Sequence, residues 1–338
     1  MAAARGRGPR ELASRKARLA LLAAAAVIAL AHPTTGCAQA VQLEIAGAQL
    51  HVALDGGQFQ IGAQALIEWA RRSATITALY YGAFPVPTLS LRIVAVDGAG
   101  VRGGRADASP SPEVRVTAGR DVSQAQLLQD WVLVHELTHL ALPEVGGDHA
   151  WLSEGLATYV EGIARTQAGN LTAGELWQDY VRQMPRGLPA NGDAGLDRTH
   201  TWARTYWGGA LFCLVADVTM RERTDNRFGL QDALRAVARE SGGMRSTWPL
   251  ERVLRVGDAA TGTVVLTELY ASMRDKPTAP DLPALWRRLG IESVGEAVIL
   301  LTGTREADIR EAIMRPREPA AAPSGSASVR PESLRRRQ

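Results

Sequence analysis

Residues Trp131–Leu142 read WVLVHELTHLAL, and Trp151–Val160 read WLSEGLATYV. The first stretch is apolar on both sides of a short polar centre and is followed at once by Pro143, which cannot continue a helix. It predicts a buried helix over 123–142, with Asp121 and Ser123 as candidate N-caps. On that helix His135 and His139 stand at i and i+4, on one face and about 6 Å apart along the axis, so both imidazoles can reach one ion. Glu136 is turned about 100° from His135 and flanks the same face, where it can take a proton from water without being a ligand.

The second stretch supplies a third donor. Glu154 opens an otherwise apolar helix, and an acid there is costly unless it is paired with a charge or a metal. Two rivals stand nearby, His149 and Asp148. The pattern that places a third histidine six positions after the second finds Val145 there, and no glycine-threonine pair accompanies Asp148, so both read as loop residues, with His149 able to line a cleft. The set His135, His139 and Glu154 suits Zn2+, and three protein ligands leave the fourth position open for water, the arrangement of a catalytic rather than a structural zinc site.

Outward from this centre the chain divides by character. From Val41 to about Thr117, runs such as Val41–Ile45, Leu50–Leu54, Leu89–Val96 and Glu113–Thr117 read as strands, and Gln64–Leu79 reads as a helix. Asp97–Pro112, rich in Gly and Pro, reads as a loop. After Asp121 the text is helical: Leu152–Gln167, Thr172–Met184, Thr201–Arg223, Leu230–Glu240, Thr263–Met273 and Leu282–Leu289 follow the first helix. The expected fold is α+β, with a small mixed strand/helix lobe over 41–120, a mainly helical zinc-binding lobe over 121–315 and a cleft between them. No internal repeat is visible.

The 338 residues are 46% hydrophobic, which suits a globular core. The formal charge of +3 is carried by the ends: the first forty residues hold Arg5, Arg7, Arg10, Arg15, Lys16 and Arg18 against Glu11, and taking their net +5 away leaves −2. Nothing in that balance reads as a nucleic-acid footprint. The basic start, the apolar run Leu19–Ala31 and the small-x-small site Ala38-Gln39-Ala40 predict a cleaved export signal over 1–40 and a periplasmic or secreted protein of a bacterium. The run is too short to span a bilayer, which takes about 20 residues, so no stable membrane span is expected after cleavage. A lipid anchor at Cys37 is the lesser alternative. With Cys37 removed, Cys213 stands alone, so no intramolecular disulfide is expected and Cys213 reads as a buried, inert thiol. Residues 316–338, rich in Ala, Pro, Ser and Arg, read as a disordered basic tail.

HELTH followed by WLSEGLATYVE resembles the gluzincin zinc metallopeptidases, and TYWGGALFCLVADVTMRERT, Thr205–Thr224, resembles a downstream helix of the glycyl aminopeptidase family. The resemblance covers about 120–240 and implies a zincin-like fold with the active-site helix at the cleft. It also implies that Tyr206 hydrogen-bonds the oxyanion of a tetrahedral intermediate, which a phenol facing the metal can do because that charge appears only in the transition state. The family pattern has Tyr at Thr205 and Lys at Gly208, so those roles are not carried over. The family's large N-terminal β-domain, its PDZ module and the short acidic motif of aminopeptidase N relatives find no counterpart, which marks a minimal version. The implied substrate would lie against an edge strand, for which Glu113–Thr117 is the candidate, with the Gly-rich segment before it as a mobile lip.

The expected function is hydrolysis of a peptide or protein substrate by metal-activated water, with Glu136 as general base. The alternatives are a catalytically silent zinc-binding or interaction protein of the same fold, a helical protein with a fortuitous motif, and an amidase acting on cell-wall peptides. An intact Glu136 favours the enzyme, because a binding module has no need of that acid.

Overall fold

The computed structural model describes residues 39–294 and 297–317. Residues 1–38 of the expected export signal over 1–40, with Cys37, and residues 318–338 of the expected tail over 316–338 lie outside the described residues.

β1 (Gln39–Ile45) and β2 (Ala48–Asp55) form an antiparallel hairpin closed by Ala46 and Gly47, whose φ angles of 49° and 83° are those of a two-residue turn matching the strand twist. Helix α1 (Ala63–Tyr81) then returns the chain so that β3 (Thr88–Val96) lies parallel to β2. β4 (Val101–Asp107) and β5 (Glu113–Gly119) complete a sheet of order β1-β2-β3-β5-β4, in which β5 is parallel to β3 and antiparallel to β4. Alternation along the strands puts Leu50, Val52, Leu89, Leu91, Ile93, Val114 and Val116 on one buried face, under α1. The other face carries polar groups, among them the pair Arg92 to Asp55.

Two expectations for this lobe are corrected. Asp97–Pro112 is not wholly a loop, because it contains β4; the glycines that read as a loop signal instead allow a strand to approach a helix closely. Glu113–Thr117 is therefore interior, and β4 is the edge of the sheet on that side, with β1 at the opposite edge.

The helical part begins with α2 (Gln124–Gln129), whose N-cap Ser123 forms a capping box with Gln126, and α3 (Val132–His139). The single helix expected over 123–142 is thus broken. Asp130 breaks it by accepting hydrogen bonds from the backbone N–H of Val132 and of Leu133, both at 3.1 Å, which starts a new helix on its carboxylate. There follow α4 (Ala150–Gln167), α5 (Ala173–Gln183) and, after a π-helical turn over Arg204–Gly208, α6 (Gly209–Arg223). Beyond them lie α7 (Leu230–Ser241), α8 (Leu250–Thr261), α9 (Val265–Met273), α10 (Leu282–Arg288), the hairpin β6 (Ile291–Val294) and β7 (Ala297–Leu300), and α11 (Arg305–Met314). The architecture is α+β, as expected.

Helix α3 and the turn after it join the two cores. Leu133, Leu137 and Leu140 pack into the sheet core, while Val134 and Ala141 belong to the helical core. With two faces so anchored, the remaining face, which carries His135, Glu136 and His139, is fixed toward the cleft. No helix among the described residues is long and apolar enough to cross a membrane.

Candidate metal centre

α3 and α4 bring His135, His139 and Glu154 together, with one ligand atom from each lying within 4.8 Å of the others. The Glu154 Oε2 atom stands 3.2 Å from His135 Nε2 and 3.6 Å from His139 Nε2. Neither rival third ligand joins them: Asp148 is exposed, and His149 Nδ1 bonds Asp197 Oδ1 at 3.0 Å. Asp197, which the sequence did not single out, also accepts from Trp151 Nε1 at 2.7 Å and from the Tyr270 hydroxyl at 2.7 Å, so it pins the start of α4 three residues before Glu154.

The electrostatics suit a metal. Burial pushes the His135 imidazole below the usual histidine range, so it is neutral and offers a lone pair at neutral pH. Burial also pushes Glu154 upward, but the neighbouring His135 and His139 imidazoles outweigh it and hold the carboxylate well below its usual range. His139 Nδ1 lies 2.9 Å from Ser153 Oγ, which leaves Nε2 free to bind if Nδ1 carries the proton. Two nitrogens and one carboxylate oxygen converging on one point are a donor set for zinc.

Glu136 is buried, and burial pushes its carboxyl up to about 7, with the charges of Glu154 and Asp107 adding to the rise and His139 opposing it. Its side chain packs on Gly104 of β4: a Cβ at that position would stand 2.5 Å from Glu136 Cγ. Tyr206 sits in the π-helical turn, and such turns re-aim side chains at functional sites. Its hydroxyl hydrogen-bonds Glu154, and burial, followed by the Glu154 charge, pushes it up to about 12, so it remains a proton donor. The Tyr206 ring stacks near His135, with centroids 6.1 Å apart.

What holds Tyr206 opposite Glu154 is a meeting of glycines. α4 and α6 touch at Gly155 and Gly209, where an added Cβ on either would strike backbone. Gly187 is pressed against Trp207 in the same way, and Arg204 Nε pairs with Asp193 at 2.7 Å beneath the turn. A cavity of about 370 Å³ opens beside the cluster, lined by Gly104, Arg105, Glu136, His139, Glu154 and Tyr206 among others. All five residues expected at the site therefore come together. Ser153, Gly104 and Asp197 were missed, since a serine, a strand glycine and a distant aspartate carry no local pattern of their own.

No family model matches the sequence, and comparison with curated proteins finds no match. Solved structures do resemble the fold. An aminopeptidase N family protein from Idiomarina loihiensis superposes with a TM-score of 0.56 at 13% identity, over 76% of this chain and 50% of that one. The M1 zinc metallopeptidase from Deinococcus radiodurans gives 0.50 at 16% identity, over 77% and 62%. A two-domain M1 zinc metallopeptidase variant bound to L-arginine gives 0.51 at 14% identity, over 77% and 62%. The chain thus spans between half and about three fifths of the length of these structures and shares the fold of their metallopeptidases.

Proposed function

We propose that this protein is an exported zinc-dependent metallopeptidase in which His135, His139 and Glu154 hold the metal and Glu136 is the general base. The observation that carries the reading is the convergence of three ligand atoms beside a carboxyl that no ligand role requires and that burial raises toward neutrality. Of the fold neighbours, the Deinococcus radiodurans enzyme has been solved as a variant with a Tyr-Ser-Ala substrate, and a two-domain M1 enzyme with L-arginine, which favours a peptide as the substrate here too.

A zinc ion on these ligands supplies Lewis acidity and makes water a usable nucleophile near neutral pH. The Glu136 carboxylate takes the proton of the attacking water and delivers it to the leaving amine nitrogen. The Tyr206 hydroxyl donates a hydrogen bond to the carbonyl oxygen as negative charge grows on it, and its high pKa keeps that proton available. β4, as the sheet edge beside Glu136, can pair with an extended peptide through its backbone. We assign residues 1–40 to an export signal, 41–120 and 121–315 to the two lobes of the peptidase, and 316–338 to a basic tail.

The test is the zinc content and peptide hydrolysis of the mature chain beside Glu154→Ala, Glu136→Gln and Tyr206→Phe. Near one zinc per chain is expected in all but Glu154→Ala, with turnover lost in Glu136→Gln and slowed in Tyr206→Phe. Zinc-free wild type, or full activity in Glu136→Gln, overturns the reading.

A further inference from the structure

Two tryptophans flank the ligand cluster and are left largely uncovered. Trp131 is 50% exposed and Trp202 is 58% exposed. Single exposed hydrophobics are ordinary, but indoles are the side chains that bury most area when they have a partner. These two are linked through the site itself. Trp131 meets the His135 ring edge-on at 5.6 Å, His135 lies nearly parallel to Tyr206 at 6.1 Å, and Tyr206 stacks on Trp202 at 5.5 Å with 24° between planes. The rings thus form one run, with an indole at each end and the site residues between.

This run lies on the His135 side of the cluster. The cavity described above is lined by His139 and by neither tryptophan, and it carries Arg105 and Glu144. A chain crossing the metal position therefore meets a cavity of mixed polar and apolar lining on one side and the aromatic run on the other, with Tyr206 common to both. The polar residues just before each indole are already engaged: the Asp130 carboxylate accepts from Val132, Leu133 and Trp69, and Thr201 Oγ1 accepts from the Arg204 N–H. A sugar ring needs such groups for its hydroxyls, whereas an apolar side chain needs only the indole faces.

We infer that the aromatic run from Trp131 through His135 and Tyr206 to Trp202 forms a surface subsite for a bulky apolar or aromatic side chain of the substrate, next to the scissile bond. The inference rests on a peptide crossing this site, as proposed above, and it names what that peptide carries. The two roles separate experimentally, because binding can be read without turnover.

The zinc-loaded full chain carrying Glu136→Gln is titrated calorimetrically with an alanine pentapeptide and with the same peptide bearing one phenylalanine at its centre. The phenylalanine peptide is expected to bind about tenfold more tightly, of the order of one aromatic side chain buried against indole. Trp131→Ala and Trp202→Ala should each lower that ratio and together abolish it, while Trp202→Phe, which keeps a ring face, should retain most of it. Equal binding of the two peptides, no binding of either, or a ratio that survives the double replacement overturns the subsite. So does tighter binding of an N-acetylglucosamine disaccharide that the same replacements abolish. Hydrolysis of both peptides by the wild type at equal affinity would sink the subsite alone; a preserved affinity ratio without hydrolysis would sink the peptidase reading alone.

Discussion

Gly155 and Gly209 touch where α4 crosses the start of α6. A methyl group on Gly155 would lie 2.2 Å from Gly209 Cα, and one on Gly209 would lie 2.0 Å from the Trp151 carbonyl oxygen. Gly155 follows Glu154 directly, and Gly209 lies three residues after Tyr206, so this contact fixes the separation of a ligand from a hydrogen-bond donor. The atoms in the way are backbone, which cannot rotate aside. Gly209→Ala should therefore push the helices apart, destabilise the fold by about 1–3 kcal/mol, and reduce turnover beyond what that loss explains. Zinc content should be less affected, since Tyr206 is no ligand. Unfolding midpoints and kcat of the zinc-loaded variant check this; unchanged kcat would mean that the glycine contact does not position Tyr206.

Gly104 works on the base in a similar manner. Its missing Cβ makes room for Glu136, which would otherwise find an atom 2.5 Å from its Cγ. Gly104→Ala leaves the backbone pairing with Val116 possible, so the strand should survive while the carboxyl is displaced. The expected outcome is a fall in kcat of about tenfold or more, the scale on which a misplaced general base is felt, at unaltered zinc stoichiometry. A variant with wild-type kcat would show that Glu136 has room to spare.

The ligand residues were legible because metal chemistry ties residue type to spacing: two imidazoles at i and i+4 and a later carboxylate in an apolar face admit few other readings. The strands of the first lobe were legible through alternation. The failures arise where one residue answers to a partner far away in sequence. β4 read as a loop because Gly103 and Gly104 were weighed by local propensity, whereas Gly104 exists to accommodate Glu136. α3 read as the continuation of α2 because its apolar run is unbroken, and only the carboxylate of Asp130 on the backbone of Val132 and Leu133 separates them. α8 and α11, also missed, differ: Leu250, Val253, Leu254 and Gly257 keep helical spacing on the buried face of α8, so that helix was legible behind its glycine- and proline-containing link, whereas α11 has almost no amphipathic periodicity to read.

Ser153 supports His139. For Nε2 to present a lone pair, Nδ1 must carry the proton, and Ser153 Oγ at 2.9 Å accepts it. Ser153→Ala removes that acceptor without touching a ligand, and zinc affinity should fall by roughly tenfold or more, as for other groups that orient a ligating histidine. Competition with a chromophoric chelator measures this directly. An affinity equal to that of the wild type would assign the orientation of His139 to packing alone.

Glu161 lets stability, rather than activity, be read against pH. It lies on α4, largely buried, with Arg165 Nη1 at 3.2 Å. Burial pushes its carboxyl up to about 7 despite the Arg165 charge, and Asp179 and Asp130 add to the rise. An unfolded glutamate releases its proton near 4.3, so between that value and about 7 the folded state binds more protons than the unfolded one. Stability from this group is then greatest below the unfolded value and declines as pH rises through the folded one. The decline is bounded at about 4 kcal/mol by the conversion of 1.36 kcal/mol per unit. Glu161→Gln keeps an oxygen acceptor for Arg165 and cannot titrate, so it should flatten the profile. In urea unfolding at pH 5 and pH 8, the stability of the wild type relative to this variant should drop by about 1–3 kcal/mol between the two conditions. A difference that stays constant would mean that Glu161 is ionised throughout and that Arg165 compensates its burial in full.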